Sequence, residues 1–374
     1  MNCRLLPIVL KQDNEMFMRK LGIFCTVAAV VCSAVSCGQG SVATVDVASG
    51  FEARPDSIGI ESIAQEITAI SLKADSLYDI RIFGESGGKL YGRTADNVFV
   101  IFSEDGTLLN AYDREGRGPG EYVSPTFKYD YIRDEILIID FQNKVIRYDA
   151  DGNFIDEVRN DVTGVLADIE PIDEEHYVAV LLSHAKRDSS LLYLDRNLNV
   201  RGSALPIFNQ AQTSARGLII SESIERFNSE VMYLPSAEET YYCYRNGDWL
   251  PYLRLDQGKY RMPADLSVTV GQYDEKAKYF AEMGSWIAGR YVFVCYVYYG
   301  KSAYYYDVYD VKTGGRLVHN MRSEEEVYED DKDGYILRYE GNEYAILPQH
   351  LKDNVIYCSV FGEDGSTTLL RLSF

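Results

Sequence analysis

The feature that most constrains the fold of this chain is a hairpin unit that recurs every ~50 residues, a spacing typical of repeat architectures. Its most recognisable part is an Asp-Gly pair between two short apolar runs, as at Asp105-Gly106, Asp151-Gly152 and Asp364-Gly365. Such a pair predicts a two-residue type I′ turn, because that turn needs positive φ at both central residues. The flanking runs are rich in Val, Ile, Tyr and Phe, as strands are. Four short strands in each unit predict the blade of a β-propeller.

Six such units fit along the chain, so the sequence predicts an all-β fold, a six-bladed β-propeller of four-stranded blades. One strand-like run, residues 67–72, precedes the first unit and has no unit of its own. A ring of sheets exposes edges unless its ends are joined, and we therefore expect this N-terminal strand to close the last blade. The predicted blades cover residues 77–115, 120–160, 161–206, 216–258, 278–322 and 333–374.

An N-terminal leader precedes the repeats. Arg19-Lys20 form a short positive region, and residues 21–35 form an apolar stretch that is too short for a comfortable membrane span. Small residues flank the cysteine in Ala34-Val35-Ser36-Cys37-Gly38. This pattern predicts a lipoprotein signal peptide with a bacterial lipobox, in which Cys37 is diacylated and becomes the first residue of the mature chain. The alternative is an ordinary signal peptide with an incidental cysteine.

The division of the chain follows from this leader. Met16 or Met18 would be a more usual start than Met1, so residues 1–15 are interpreted as an over-extended reading frame. The residues after the cysteine are small and polar, which predicts a flexible tether. We assign a signal peptide to residues 1–36, the lipidated Cys37 with its tether to 37–60, and the propeller domain to 61–374.

The run Gly116-Arg117-Gly118-Pro119-Gly120-Glu121-Tyr122 forms a specified turn at the end of the first unit. A lipobox, a series of β repeats and this motif together resemble the six-bladed β-propeller lipoproteins of Bacteroidota, which are related to the NHL and TolB-like propellers. The resemblance covers residues 60–374, and Gly116–Tyr122 is its most specific part. Members of that group mostly have no assigned activity, so the resemblance implies fold and location much more than chemistry.

Location and partners follow from the resemblance and the charge. In that group an acidic stretch after the lipidated cysteine resembles a surface-export signal, and Gly38-Gln39-Gly40-Ser41 lacks it. We therefore expect a lipid anchor in the outer membrane, on the periplasmic side of the cell envelope. The chain has 37 basic and 57 acidic residues, which argues against nucleic acid as a partner. The expected partners are the membrane, through the lipid, and a protein, peptide or glycan.

Two interpretations of Gly116–Tyr122 stay open. Successive backbone N–H groups of such a loop can form an anion-binding nest, to which Arg117 would add charge. The alternative is a connection between blades in which Glu121 accepts backbone N–H bonds and Tyr122 packs. Nucleotide binding has no support, because the loop precedes a strand and lacks the required glycine spacing. We keep Arg117, Glu121 and Tyr122 as candidate ligand-binding residues.

Tyrosine is unusually common, with 30 residues, and it concentrates in the hairpin around Gly300-Lys301-Ser302. Alternation along a strand sends about half of these rings to each face of the sheet, where they would fill the core between blades. Those nearest the hairpin tip would instead offer a surface for glycan or peptide, because tyrosine combines contact area with a polar end. These candidates are Tyr298, Tyr299 and Tyr304.

No sequence motif predicts catalysis, a metal or a cofactor. The four histidines do not occur in metal-ligating pairs, and no GxSxG elbow is present. The acidic turns at 149–151 and 330–334 lack the EF-hand layout and are interpreted as hairpins in solvent. Three cysteines lie within apolar runs and are predicted to be buried thiols, with a disulfide or a nucleophile as the alternative. They are Cys243, Cys295 and Cys358.

We therefore expect a membrane-anchored binding or scaffolding lipoprotein without enzymatic activity, whose ligand lies where the central channel opens. Two enzymatic alternatives remain. A lactonase- or lyase-like propeller would hold a divalent metal with channel-facing Glu, Asp, Asn or His. A glycan-active enzyme would use paired carboxylates in the same place.

Overall fold

The structure is a computed structural model, and the elements of its described residues lie in the unit that residues 43–374 form. The predicted signal peptide and Cys37 lie outside the described residues, as do His184 and the acidic pair at 330–331. No helix within the described part of the chain is long and apolar enough to cross a membrane. The structure describes residues 42–374 except 75–76, 160–163, 183–187, 209–223, 236–237, 268, 270–271, 329–331 and 363.

The described residues form six sheets in a ring, which confirms the predicted six-bladed β-propeller. Within each blade the first strand is innermost and antiparallel neighbours follow outward. Blade one contains β3 (Arg81–Ser86), β4 (Lys89–Arg93), β5 (Phe99–Ser103) and β6 (Leu108–Tyr112). Blade two contains β7 (Pro125–Asp130), β8 (Glu135–Asp140), β9 (Lys144–Asp149) and β10 (Phe154–Arg159). Blade three contains β11 (Leu166–Pro171), β12 (His176–Leu181), β13 (Ser189–Asp195) and β14 (Val200–Pro206).

The second half of the ring carries additional elements. Blade four contains β15 (Ile224–Phe227), β16 (Glu230–Tyr233), β17 (Thr240–Arg245) and β18 (Asp248–Asp256), joined at its outer edge by β1 (Ala43–Asp46). Blade five contains β19 (Phe280–Ala288), β20 (Tyr291–Tyr298), β21 (Ala303–Asp310) and β22 (Arg316–Ser323). Blade six contains β25 (His350–Lys352), β26 (Val355–Phe361), β27 (Thr367–Ser373) and β2 (Glu66–Leu72). Outside the blades lie β23 (Tyr335–Tyr339), β24 (Asn342–Ile346), α1 (Val47–Glu52), α2 (Ala264–Ser267), α3 (Tyr273–Lys276) and α4 (Glu324–Tyr328).

The ring is closed by strands from both ends of the described chain. The innermost strands β3, β7, β11, β15, β19 and β25 each contact the next one, and β25 contacts β3. In blade six, β2 pairs antiparallel with β27 over its whole length, from Glu66 opposite Ser373 to Leu72 opposite Thr367. This pairing confirms the closing strand that the sequence predicts at residues 67–72.

The last blade differs from the prediction at its start. The expected span was 333–374, but the first strand of the blade begins at His350. β23 and β24 form a separate two-stranded hairpin beside blade five. The Tyr335 ring lies 5.4 Å from Phe293 of β20 and 5.5 Å from Tyr306 of β21, and the Asn320 side-chain oxygen of β22 accepts a hydrogen bond from the Ile336 N–H at 3.1 Å. Packing against blade five therefore accounts for the buried aromatic ring at the start of this hairpin.

The segment predicted as a flexible tether is folded from residue 43 onward, which corrects that part of the domain division. Residues 43–62 form what we call the N-terminal strap. β1 runs parallel to β18, with Ala43 opposite Leu253, and α1 follows it directly. Farther along, the Asp56 N–H donates to the His319 carbonyl of β22 at 2.8 Å. The strap thus covers the outer edges of blades four and five.

Three apolar side chains explain why the N-terminal strap is ordered. Val45, Val47 and Phe51 are at most 5% exposed although their neighbours are small or polar. The Phe51 ring lies in a cluster of aromatic rings from blade five and the loop before it, with centroids 4.8 Å from Tyr260 and 5.0 Å from Phe280. Burying one such ring contributes roughly 1.5–3 kcal/mol, which offsets part of the conformational entropy lost when the strap is ordered. Because most residues of the segment are small or polar, its composition did not predict that these three side chains are buried.

The Asp-Gly hairpins use a different turn from the predicted type I′. Gly106 and Gly152 have φ values of 81° and 82°, whereas Asp105 and Asp151 do not have positive φ. One left-handed residue after a type I turn makes the three-residue hairpin loop. The aspartate then caps the turn from its side chain, as the Asp105 carboxylate does by accepting the Thr107 N–H at 3.2 Å. Only the glycine of each pair is therefore conformationally required.

The Gly106 turn gives a test of ring closure. Gly106 and Gly365 share a φ of 81°, but a Cβ on Gly106 would lie 2.2 Å from the Ser71 carbonyl oxygen of β2, whereas one on Gly365 would meet no atom within 4 Å. In both alanine variants the new residue must adopt the same strained backbone conformation with positive φ. We expect Gly106→Ala to lower the free energy of unfolding by about 1–3 kcal/mol more than Gly365→Ala, as measured by urea denaturation. Equal losses would mean that the turn does not brace β2.

Candidate functional site

The innermost strands converge on a pocket in the central channel, which we call the channel pocket. All six blades contribute side chains to it, and its cavity volume is about 90 Å³. Its lining combines aromatic rings with ionised groups. The lining residues are Phe83 of blade one, Lys128, Tyr129 and Tyr131 of blade two, Glu170 of blade three, Glu225, Arg226 and Phe227 of blade four, Trp286 of blade five, and Gln349, His350 and Leu351 of blade six.

Alternation along β7 places its side chains on opposite sides of blade two. Lys128 reaches the carboxylates of blade three, whereas Tyr129 stacks on Tyr91 of blade one with ring centroids 4.4 Å apart. Gly84 allows this approach, because a Cβ there would lie 2.5 Å from the Tyr129 Cβ. A single inner strand thus supplies both an ionised group and an aromatic ring to the channel pocket.

The Lys128 ammonium is the centre of the polar side of the pocket. Its Nζ lies 3.0 Å from the Asp168 carboxylate, 3.2 Å from Glu170 and 2.5 Å from the Ile224 carbonyl oxygen. Burial alone would lower the pKa of Lys128, but the attraction of the surrounding carboxylates raises it above its ordinary value. The ammonium therefore stays charged and connects blades two, three and four.

Arg226 makes a second cross-blade connection. Its Nε donates to the Glu170 carboxylate at 2.9 Å, and its Nη groups donate to the Pro171 and Ser229 carbonyl oxygens. Glu170 therefore bridges the Arg226 guanidinium and the Lys128 ammonium. A buried carboxylate held by two cations in this way is fixed in position.

Glu225 is less firmly held. Its carboxylate lies 3.9 Å from the Lys128 Nζ, beyond hydrogen-bond distance, and 46% of its side chain remains exposed to solvent. Enclosure within the channel raises the pKa of Glu225 to about 7, although Lys128 acts in the opposite direction, and repulsion from Asp168 and Glu170 adds to the rise. Burial likewise raises the pKa of Asp168. Glu225 is thus a carboxylate that can change its charge near neutral pH.

The opposite side of the pocket contains a neutral histidine. The His350 Nε2 lies 2.7 Å from the Tyr131 hydroxyl, which also accepts the Glu85 N–H at 3.2 Å. Burial, together with the nearby Lys352 ammonium, lowers the pKa of His350 to about 3. Burial also raises the pKa of Tyr131 above its ordinary value. This pair is therefore uncharged at neutral pH and connects blades two and six.

The predicted loop Gly116–Tyr122 lies between blades one and two. The Glu121 carboxylate accepts the Gly118 N–H at 2.7 Å, and Tyr122 is 1% exposed with its hydroxyl donating to the Asn97 carbonyl. Arg117 is exposed. None of these three candidates lines the channel pocket. Their contacts are those of a connection between blades, and their binding of a ligand stays a prediction.

The tyrosines predicted to form a contact surface lie at the edge of blade five. Tyr298 is half-buried beside Phe51 of the N-terminal strap, with ring centroids 4.8 Å apart. Tyr304 is 8% exposed and donates to the Tyr328 hydroxyl at 2.8 Å. Tyr299 begins a short 3₁₀ turn. Tyr298 and Tyr304 contribute to packing, and neither of them lines the channel pocket. Their proposed binding surface also stays a prediction.

Sequence reasoning missed the residues that line the channel pocket. It expected channel-facing carboxylates as a class but had no basis for choosing among 57 acidic residues. A usable signal was present in the placement of charge within apolar inner strands. Lys128 stands between Phe127 and Tyr129, and Glu225-Arg226 immediately precede Phe227. Charged residues at such positions must find partners in the channel, because burial without a partner is costly.

Other reactive groups are accounted for by packing. Cys243, Cys295 and Cys358 are buried, as predicted. His319 is buried, and its Nδ1 lies 2.6 Å from the Asp307 carboxylate. Neither residue lines the channel pocket. Within the described part of the chain, no three His, Cys, Asp or Glu side chains are grouped so as to hold a metal ion.

Comparison with known proteins identifies a family and confirms the fold. The family model described as a domain of unknown function, DUF4934, matches residues 42–358. A Bacteroides fragilis protein inferred to be exported is similar in structure, with a TM-score of 0.63 and 14% identity over 89% of this chain and 99% of that chain. A catalytically inactive virginiamycin B lyase of Staphylococcus aureus, solved with quinupristin, has a TM-score of 0.41 and 12% identity over 82% of this chain and 99% of that chain. The likeness to the Bacteroides fragilis protein shows the fold alone. No curated protein sequence matches the chain significantly.

The lowered pKa of His350 predicts acid sensitivity. The unfolded chain takes up a proton at its ordinary value of 6.5, whereas the folded site does so only near 3. The contribution of neutral His350 to the free energy of unfolding is therefore complete above pH 6.5 and is lost as the pH falls toward 3. We expect the free energy of unfolding to fall between pH 7 and pH 5 by up to about 2 kcal/mol more in the wild type than in His350→Gln, measured by urea denaturation. Parallel curves for the two proteins would contradict this.

Proposed function

We propose that this chain, which belongs to the DUF4934 family of domains of unknown function, is a lipid-anchored binding protein of the bacterial cell envelope whose ligand occupies the channel pocket. One observation carries the proposal. Side chains from all six blades meet in this single pocket, where aromatic rings face ionised groups. A concave site with apolar walls and a few fixed polar groups is the usual form of a small-molecule site.

The state of the polar groups favours binding over turnover. Lys128, Asp168, Glu170 and Arg226 are committed to one another in ion pairs at 2.9–3.2 Å. Such charge-assisted pairs hold these side chains in fixed positions. A preorganised lining reduces the entropy lost when a ligand binds, which is what a binding protein needs.

An enzymatic alternative has one observation in its favour. Glu225, with a pKa raised to about 7 among other carboxylates, has the character of a general acid or base. A glycan-active enzyme would use such a group. For a metal-dependent lactonase or lyase the chain supports less, because the Lys128 ammonium already lies between Asp168 and Glu170. Calcium or zinc retained stoichiometrically after dialysis of the purified chain would favour the metal enzyme nonetheless.

Membrane anchoring is the second part of the proposal. It is supported by the positive and apolar leader and by the small residues around Cys37. The inferred export of the Bacteroides fragilis neighbour agrees with a place in the cell envelope. We place the protein on the outer membrane, facing the periplasm.

The two tryptophans allow a direct test of ligand binding. Trp286 lines the channel pocket, whereas Trp249 donates to the Tyr193 hydroxyl at 3.0 Å outside it. In Trp249→Phe the remaining fluorescence therefore reports on the pocket, and in Trp286→Phe it does not. We expect at least one class among amines, peptides and oligosaccharides to shift the emission of Trp249→Phe in a saturable manner and to leave Trp286→Phe unchanged. Equal responses of the two variants, or none in either, would contradict binding in the pocket.

Lipid attachment is tested by metabolic labelling with a radioactive fatty acid. We expect Cys37→Ala to lose the label and to move from the membrane to the soluble fraction, because the acylated thiol is gone. Cys32→Ala is the matched control, since it removes a neighbouring cysteine of the leader and should keep both properties. Undiminished membrane association of Cys37→Ala would remove the lipid anchor from the proposal.

A further inference from the structure

We propose that the channel pocket recognises a small organic cation, an alkylammonium group held between the Glu225 carboxylate and the aromatic wall of the pocket. The aromatic wall consists of Phe83, Phe227 and Trp286. This inference rests on the proposed function, and it adds the chemical class of the ligand.

The charges of the pocket leave one carboxylate for a ligand. Lys128 and Arg226 carry two positive charges, and Asp168 and Glu170 balance them at distances of 2.9–3.2 Å. Glu225 is the remaining ionisable acid of the lining, and no cation lies within hydrogen-bond distance of it among the described residues. With Glu225 ionised, the lining and the adjacent Asp168 together carry one net negative charge. A monocation would neutralise that charge, whereas an anion would add to it.

The groups next to this lining do not alter its balance. At blade six, His350 is neutral at neutral pH because its pKa is lowered to about 3. Behind it, the Lys352 ammonium and the Glu85 carboxylate of blade one compensate each other at 3.9 Å. Tyr131 is protonated, since burial raises its pKa. Every charge facing Glu225 from the surrounding blades is therefore paired, and its own charge is the one left for a ligand.

The aromatic wall supplies the second half of the recognition. Aromatic faces attract cations through their quadrupole, and tryptophan does so most strongly. Trp286 lies folded over Gly284, where a Cβ would be 2.8 Å from the indole ring, so the ring is held in place. Phe227 is 3% exposed and Phe83 stacks on Phe127 with centroids 5.4 Å apart. Fixed rings of this kind also take up the methylene or methyl groups of an alkylammonium ion.

Two features of the molecule suit a small cation in particular. The chain carries a net charge of −20, which raises the local concentration of cations around it. The cavity volume of about 90 Å³ suits only a small ligand, such as a short amine or one basic side chain. The same chemistry therefore has two sources, a free amine and the lysine side chain of a peptide, and the experiment separates them.

The experiment is a titration of the full chain by calorimetry, with Trp286 emission in the Trp249→Phe background as a second readout. The probes are n-butylammonium and its uncharged counterpart n-butanol, then N-acetyl-lysine amide and N-acetyl-norleucine amide. We expect each cation to bind at least tenfold more tightly than its uncharged counterpart. Tighter binding of the lysine amide than of butylammonium would assign the site to peptide side chains, and the reverse would assign it to free amines.

The matched variants are Glu225→Gln and Glu104→Gln, which remove the same charge. Glu104 lies outside the pocket with 66% of its side chain exposed. We expect Glu225→Gln to weaken cation binding at least tenfold with unchanged thermal stability, and Glu104→Gln to stay within twofold of the wild type. Because a bound cation favours ionised Glu225, wild-type affinity should also rise several-fold from pH 6 to pH 8, and that rise should vanish in Glu225→Gln.

The outcomes separate this inference from the proposed function. Equal binding of charged and uncharged probes, or cation binding unaffected by Glu225→Gln, would overturn the cation site. Saturable binding of an oligosaccharide in the Trp249→Phe reporter, with no response to either amine, would overturn it as well while leaving a binding function in the pocket intact. No response to any probe class would overturn both.

Discussion

The pairing of β2 with β27 is the contact on which the rest of the ring depends. It joins residues 66–72 to residues 367–373 in one sheet and so converts an open series of blades into a closed one. Each backbone hydrogen bond of such a pair contributes only about 0.5–1.5 kcal/mol net, but without closure two sheet edges would face solvent. The Lys73 N–H extends the connection by donating to the Gly106 carbonyl at 2.8 Å, which fastens the first blade to the closing strand. The six inner strands, and the pocket between them, keep their positions because the ring has no free end.

Polar side chains make a second set of connections inside that ring. Lys128 links blade two to blades three and four, Arg226 links blade four to blade three, and Tyr131 links blade two to His350 of blade six. Buried ion pairs contribute little net stability, because removing charges from water is costly. Their effect is geometric, since each pair fixes the distance between two inner strands. The same side chains that align the blades therefore also line the channel pocket.

The sequence predicts the architecture more fully than the site, for physical reasons. Strand alternation and turn composition are local properties, so the six blades and the closing strand can be read from runs of adjacent residues. The N-terminal strap escapes that reading because Val45, Val47 and Phe51 are too few to make a pattern, and their burial depends on blades four and five. The turn type could not be predicted from the sequence because Asp-Gly is compatible with more than one hairpin loop.

The channel pocket is harder still to predict, because its members come from six distant parts of the chain. Glu170 and Arg226 are 56 positions apart and meet only after the ring forms. The motif at 116–122 and the tyrosines around residue 300 stand out locally, yet their described contacts serve packing between neighbouring elements. In this chain the conspicuous sequence motifs form turns and core packing. The channel is lined instead by single charged residues within strands that are otherwise apolar.

The N-terminal strap gives the molecule a direction of mechanical strength. A pull on the chain at residue 42 is borne first by β1 against β18, then by Phe51 in its aromatic cluster, and then by Asp56 on β22. Beyond Asp56, Arg338 of β23 holds Ser57 and Glu61, so these contacts too must yield before tension reaches β2 and the closure of the ring. The load is thus spread over the strap and the elements beneath it, and the closing strand is strained only after the strap has detached.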